Sequence, residues 1–334
     1  MTKEEIVEEL RREDPAELFH RADRVRREHC GDEVHLRGLI EFSNCCARGC
    51  LYCGLRKFND GLPRYRMSSE AIVAAARDAR KLGYPTVVLQ SGEDPGFGVD
   101  QLCDVVSRIK KQTGCAVTLS VGERSYDDYK ALRRAGADRY LLRFETSNPE
   151  LFARLRPGCL FEQRVRCLDW LAELGYQVGS GCMVGLPGQT FVDMAADVLF
   201  MEGRNFDMIG IGPFIPHPET PLAGERQWPV DLVLRMVALT RIVTRNAHMP
   251  ATTATGSIDP LGRQKALQCG ANVIMPNVTP TQYRKYYEIY PHKICITEKP
   301  EDCGSCVSGM VLALGRKVGR GPGHTLKEKR AISS

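Results

Sequence analysis

The stretch from Ile40 to Arg56, IEFSNCCARGCLYCGLR, constrains this chain more than any other. Cys46, Cys50 and Cys53 stand in the spacing C-x3-C-x2-C. Three thiolates on one tight loop suit three irons of a cubane 4Fe–4S cluster, because soft thiolates are the natural ligands of Fe–S centres. The fourth iron then has no cysteine from this loop. An iron with an open position can bind and activate a small molecule, whereas a cluster held by four cysteines mainly carries electrons. The other readings of such a loop are a zinc knuckle and a ferredoxin-like site. Zinc sites usually build from paired C-x2-C units or add histidines, and neither accompanies this loop. Cys45 does not fit the spacing and reads as a small packed residue.

Composition excludes several function classes. The chain of 334 residues suits one large domain or two ordinary ones. Its net charge of +5, from 46 basic and 41 acidic residues, is too mild to argue for nucleic acid, though it suits the anionic groups of a small ligand. The 14 cysteines are dispersed rather than set out as a disulfide scaffold. The N-terminal MTKEEIVEELRRED has no apolar core of a signal peptide, and no apolar run approaches membrane-spanning length. The expectation is a reducing cytoplasm, with no membrane partner and an anaerobic setting for an exposed cluster.

Apolar periodicity gives the architecture. Residues 2–28 read as charged helices with apolar positions at Ile6, Leu10 and Leu18. A strand over Val34–Phe42 feeds the cysteine loop. Ser68 or Ser69 N-caps a helix that Gly83 closes. Further strands are predicted at Thr86–Gln90, Ala116–Val121, Tyr140–Phe144, Val178–Val184, Met208–Gly212, Pro250–Ala254 and Ala271–Met275, with helices between them. Eight strand–helix units in a chain of this size favour an α/β fold that is a complete (β/α)8 TIM-type barrel, with its site at the C-terminal strand ends. The divisions are an N-terminal helical segment (1–33), the barrel (34–290) and a C-terminal extension (291–334) with Cys295, Cys303 and Cys306 and a mobile basic tail from 315.

The strand ends are polar and glycine-rich. Gln90-Ser91-Gly92-Glu93-Asp94-Pro95 follows the second strand, Ser120 ends the third, and Arg143-Phe144-Glu145-Thr146 ends the fourth. Thr252, Thr253 and Thr255 close the seventh, where they read either as anion binders or as satisfied barrel hydroxyls. His217, in a proline-rich loop, reads as structural. Arg164 alone reads equally well as a helix-surface arginine.

With Tyr52 just before the last cysteine, the loop resembles the signature of radical S-adenosylmethionine (SAM) enzymes. The segments EFSNCCARGCLYCGLR, VLQSGEDP, ADRYLLRFET, MVGLPGQT, FDMIGIGPFIPHPETPLA, PATTATG and GANVIMPN, in that order, resemble the radical-SAM maturases of FeFe-hydrogenase, in the branch that contains biotin synthase and methylornithine synthase. The resemblance covers nearly all of residues 34–318. It implies a 4Fe–4S cluster on Cys46, Cys50 and Cys53, with SAM chelating the open iron. It implies that Tyr52, Gly92, Glu93, Ser120, Glu145 and Arg164 bind SAM, Arg164 by clamping its carboxylate. Arg139, Arg143 and Met208 would line a substrate cavity. Cys295, Cys303 and Cys306 match a second cluster site, 2Fe–2S or 4Fe–4S, found in some members; zinc or no metal there stays open.

The implied substrate is organometallic, the cysteine-bound iron carbonyl-cyanide unit made by the maturase HydG, and the product passes to the scaffold HydF. An electron donor such as ferredoxin or flavodoxin is implied too. Two other readings remain: a mutase like methylornithine synthase, told apart by lysine-dependent 5′-deoxyadenosine formation, and a non-enzymatic Fe–S carrier or scaffold, which would cleave no SAM. Phe144 and Cys182 are features whose effect on the substrate the resemblance does not define.

Overall fold

The computed structural model describes residues 1–327; positions 328–334 of the basic tail lie outside the described residues. Two helices, Lys3–Arg11 and Ala16–Cys30, open the chain and bury Ile6, Leu10 and Leu18 as their spacing requires. The first is held by a capping box, in which Thr2 and Glu5 each accept the other's backbone N–H. The strands that follow are β1 (Glu33–Leu36), β2 (Gly38–Ser43), β3 (Thr86–Ser91), β4 (Ala116–Ser120), β5 (Arg139–Leu141), β6 (Gln177–Ser180), β7 (Met183–Val184), β8 (Met208–Ile209), β9 (Gly212–Pro213), β10 (Val273–Ile274) and β11 (Lys317–Val318).

Six of them form one parallel sheet in the order β2-β3-β4-β5-β6-β8. All residues of β2 are buried, as expected of a parallel sheet with covered faces. β10 and β11 both pair with β1 in parallel. Single bridges continue the sequence of pairings, from Met208 to His248, from Pro250 to Val273, and from Asn277 back to Leu39 on β2. Helices alternate with the strands. Ser68 caps Ser69–Lys81 by accepting from Ala71 N at 3.2 Å, and Gly83 follows at φ +86°, where only glycine is unstrained. Among the described residues, no helix is long and apolar enough to cross a membrane.

Several expectations need correction. The single strand Val34–Phe42 is two, divided at Arg37, because its halves pair with different neighbours: β1 with β10 and β11, β2 with β3. The strand over Val178–Val184 is interrupted at Gly181, whose φ of +149° and approach to the Gly210 carbonyl leave no room for a Cβ. Most of the expected strand Pro250–Ala254 is absent. Thr252 instead caps the helix Thr253–Ile258 through a 3.2 Å bond from Thr255 N, so these threonines are cap residues.

The C-terminal segment is also not free as far as Lys327. It crosses the end of the barrel-like array opposite the cysteine loop. Fully buried Arg139 donates from Nη2 to the Pro322 and Gly323 carbonyls at 2.8 and 3.0 Å, and Arg37 Nη2 donates to Gly323 at 3.1 Å. Among the described residues neither arginine has a carboxylate ion-pair partner, and a buried guanidinium must find acceptors. The backbone of 322–323 supplies them. Replacing Arg139 by Gln should therefore loosen this segment: amide hydrogen exchange over 317–327 should rise at least about tenfold, while the protection of β3 and β4 changes little. Unchanged exchange over 317–327 would show that other contacts suffice.

Candidate functional site

The loop from Asn44 to Met67 leaves the end of β2 and is tied down through backbone groups. Asn44 accepts from Tyr65 N at 2.7 Å and donates to the Pro63 and Tyr286 carbonyls at 2.8 and 2.7 Å. Arg64 donates to the carbonyls of Asn44 and Leu55. Asp94, one residue past Glu93, accepts a bidentate pair from Arg66 at 2.7 and 2.8 Å and a bond from Ser43 Oγ at 2.6 Å. Gly92 lies against the loop: a Cβ there would stand 2.2 Å from the Cys45 carbonyl and 2.7 Å from Cys46 Cβ. Close approach of two strand ends is thus the reason for glycine at this position.

Cys46, Cys50 and Cys53 line one cavity of about 360 Å³, in the range of small-molecule sites. Tyr52, Gly92, Glu93, Ser120, Glu145, Arg164, Arg143 and Met208 line it with them, so nearly every residue singled out in the sequence is brought together. Arg139 is the exception. It does not face this cavity and instead anchors the C-terminal segment. Arg37 takes its place in the wall, with Nη1 on Met208 Sδ at 2.9 Å. Burial, and then the charge of Arg139, hold the pKa of Arg37 well below the usual arginine range.

Under the cysteine loop lies a network of charges. Glu93 accepts from Arg48 and sits 3.4 Å from both Arg156 and Arg164. Glu123 meets Arg48 at 3.1 Å and Arg164 at 2.8 Å. Burial works against the Glu93 carboxylate, but Arg164, Arg156 and Arg48 together hold its pKa below the usual value. Arg143 and Glu145 pair at 3.2 Å, and Arg143 also donates to the Cys182 carbonyl at 2.6 Å. Glu145 has φ +66°, an uncommon backbone for a non-glycine residue and of the kind that clusters at functional sites. Arg164, on the helix Phe161–Glu173, is buried in the wall rather than on the helix surface, and donates to the Arg143 carbonyl at 3.1 Å. His217 is buried, accepts from Glu219 N, and packs on Gly54, in keeping with a structural role.

The donor set suits the groups implied for it. The three thiols are free, and Cys46 Sγ accepts a backbone N–H from Arg48 at 3.4 Å. Among the described residues no three His, Cys, Asp or Glu side chains group around one metal ion. Three thiols facing one cavity are the soft donors that an Fe–S cluster takes. The cavity wall also carries a buried guanidinium nitrogen, Nε of Arg143, that has no partner among the described residues and could meet a polar ligand.

Arg48, Glu123, Arg156 and Arg37 were not singled out in the sequence. Arg156 carries a signal there, since Arg156-Pro157-Gly158 ends a helix and sets its side chain at a junction. The tail cysteines divide. Cys295 and Cys303 line a small hollow with Arg263 and Lys293, and a bond from the Cys303 thiol draws the Cys295 pKa down. Cys306, one turn beyond Cys303 on the helix Pro300–Ala313, is exposed. Lys293 also faces the main cavity and pairs with Glu41, so the hollow shares a wall with the cavity.

A sequence profile described as the Radical SAM superfamily matches residues 40–201. The chain is 56% identical over 303 residues to the [FeFe] hydrogenase maturase subunit HydE of Thermotoga maritima, covering 91% of this chain and 87% of that one. It is 27% identical over 264 residues to 3-methylornithine synthase of Methanosarcina acetivorans, covering 78% and 74%. The crystal structure of methylornithine synthase (PylB) superposes with a TM-score of 0.86 over 95% of this chain and 94% of the other, at 24% identity, which shows a shared fold.

One buried acid supports the Glu145 strand end. Asp197 accepts from Ser147 N and Oγ at 2.5 and 2.7 Å and from Gln189 Nε2 at 3.1 Å, joining the segment after Glu145 to the MVGLPGQT turn. Burial raises its pKa to about 7, against 3.8 when free. Between these values the folded chain binds the extra proton, so stability falls as pH rises through the window and levels off above it. Urea unfolding of the metal-free protein should show a loss of about 2 kcal/mol from pH 5 to 7 that Asp197→Asn removes. An equal slope in both proteins would assign the loss elsewhere.

Proposed function

Because the chain belongs to the HydE family of the radical SAM superfamily, we propose that it acts in assembling the active-site cluster of FeFe-hydrogenase, processing the cysteine-bound iron carbonyl-cyanide unit from HydG. It is a radical SAM enzyme, and such enzymes work with a 4Fe–4S cluster and SAM. The cluster and SAM, when bound, supply one-electron cleavage of the sulfonium to methionine and a 5′-deoxyadenosyl radical. The observation that carries the reading is the single cavity onto which the cysteine triad, Ser120, Glu145 and Arg164 all open.

Cys46, Cys50 and Cys53 would each hold one iron. Glu145 would accept from the amine or ribose hydroxyls of SAM, and Arg164 would hold its carboxylate. Glu93, already engaged by three arginines, is better suited to holding the loop than to binding the amine directly. Arg143, Met208 and Arg37, which line the same cavity, would face the substrate. We infer that the bridges beyond β8 close the parallel sheet into a (β/α)8 barrel. HydF as recipient, ferredoxin or flavodoxin as electron donor, and a cytoplasmic setting complete the proposal.

The anaerobically reduced protein should form 5′-deoxyadenosine from SAM, and faster with the HydG product than without it; no SAM cleavage in a fully loaded protein would leave only a carrier role. Cys50→Ala should give no product. Arg164→Ala should still load the cluster but need about 10–100-fold more SAM, the loss expected of a charged hydrogen bond. Wild-type turnover by Cys50→Ala would remove the central assignment.

Cys295, Cys303 and Cys306 would hold the second cluster, with Cys306 swinging in from the surface. Replacing all three should remove the corresponding iron and leave SAM cleavage within about twofold. Complete loss of cleavage in a folded variant with the first cluster loaded would make the second site part of catalysis.

A further inference from the structure

Arg156 caps the helix Pro149–Leu155, and this helix end docks directly on the cysteine loop, Leu51 N donating to Leu155 O at 2.9 Å. The guanidinium is buried in the cavity wall. Its Nη1 donates to Tyr52 Oη at 3.0 Å, and Tyr52 immediately precedes Cys53. Its Nη2 lies 3.4 Å from Glu93, and its Nε has no partner.

The charges around it do not balance. Arg48 and Arg164 each reach both Glu93 and Glu123. Arg143 has Glu145. Arg156 shares Glu93 with the other two and has no second carboxylate in ion-pair contact. Three arginines thus meet two glutamates, and the surplus cation is the one bonded to the cysteine loop. Burial works against its charge, and the neighbouring phenol, thiol and carboxylates more than offset that, so it stays cationic. It lines the same cavity wall as Cys46, Cys50 and Cys53.

A fixed cation in a poorly solvated wall stabilises whichever state of a nearby group is more negative. Fe–S potentials are set by net charge, hydrogen bonds and solvent exposure. A cluster on three thiolates gains one negative charge on reduction. We propose that Arg156 tunes the redox potential of the cluster on Cys46, Cys50 and Cys53, using its uncompensated charge to favour the reduced form. It is a positioning residue that acts through the cluster and the Tyr52 ring, distinct from the SAM clamp assigned to Arg164. This inference rests on the cluster assignment above, and the electron itself comes from an external low-potential carrier.

The test is a redox titration of full-length protein, anaerobically reconstituted, with iron counted, followed by electron paramagnetic resonance in the absence of SAM. The proteins are wild type, Arg156→Gln, Arg156→Met, Arg156→Lys and, as a control for loss of charge at the surface, the exposed Arg154→Gln. In both neutral variants the ratio of reduced to oxidised cluster at a fixed potential should fall about tenfold, a shift of about 59 mV to more negative values for one electron. Arg156→Lys should recover most of the shift, and Arg154→Gln should show none.

Neutral variants with an unshifted midpoint overturn the proposal. So does an equal shift in Arg156→Lys, which would make the effect one of shape rather than charge, or a shift that appears only with SAM, which would make Arg156 a ligand of SAM. Neutral variants that fail to fold, or that fold but hold no cluster, assign it to loop assembly and also overturn the proposal. Failure of the underlying reading is separate and visible in wild type, as absence of a cluster or of SAM cleavage.

Discussion

Glu93 is the joint on which the candidate site depends. Its backbone carbonyl accepts from Ala47 N inside the cysteine loop at 2.9 Å, while its carboxylate sits among Arg48, Arg156 and Arg164. One residue therefore fixes the loop to the end of β3 and gathers arginines from three separate parts of the chain. The positions beside it are glycine for steric reasons. A Cβ at Gly122, which has φ +77°, would stand 1.9 Å from Glu93 Cγ, and one at Gly92 would strike the loop. Removing one partner from a buried set of charges leaves the others uncompensated, which costs far more than the pair contributes. The cluster loop and the adjoining helix ends are in this way one electrostatic unit, and Glu93 stays ionised as a structural anion.

The legible parts of this architecture are those set by local chemistry. The cysteine spacing, the Ser68 cap, the Gly83 terminus and the strands Thr86–Gln90 and Ala116–Val121 were readable to within a residue, because each follows from a few neighbouring residues. The threonines at 252–255 misled because a β-branched polar run satisfies both a strand and an N-cap, and only the hydrogen bond from Thr255 N decides between them. Arg139 misled for a different reason. It was placed in the cavity by resemblance, whereas it opens β5, and the end of the array it serves depends on a partner some 180 residues away, at Pro322 and Gly323. The C-terminal segment looked unattached because its glycines and basic residues carry no apolar pattern, and its attachment uses backbone carbonyls, which every sequence has.

Arg156 shows the same limit inside the site. A single arginine beside a helix stop has many surface counterparts, and nothing local marks it as buried. What gives it meaning is the count of carboxylates around it, which depends on how four strand ends converge. Glu145 and Arg164 were found through resemblance; their surroundings, including the support from Asp197 and Gln189, came from the packing of a helix far along the chain.

The two ends of the cavity satisfy their buried cations by different means, and this sets its polarity. Near the cysteines, guanidiniums face carboxylates and the surplus is small. At the far end Arg37 meets a carbonyl and a thioether, and His248 donates from Nε2 to the His324 carbonyl and accepts at Nδ1 from Asn272 Nδ2. Carbonyl dipoles satisfy hydrogen bonds without cancelling charge, while burial opposes the charge of Arg37 and keeps His248 neutral, holding both pKa values well below their usual ranges. An anionic ligand entering between the two ends would meet a guanidinium donor at each, Arg156 beside the cysteines and Arg37 in depth.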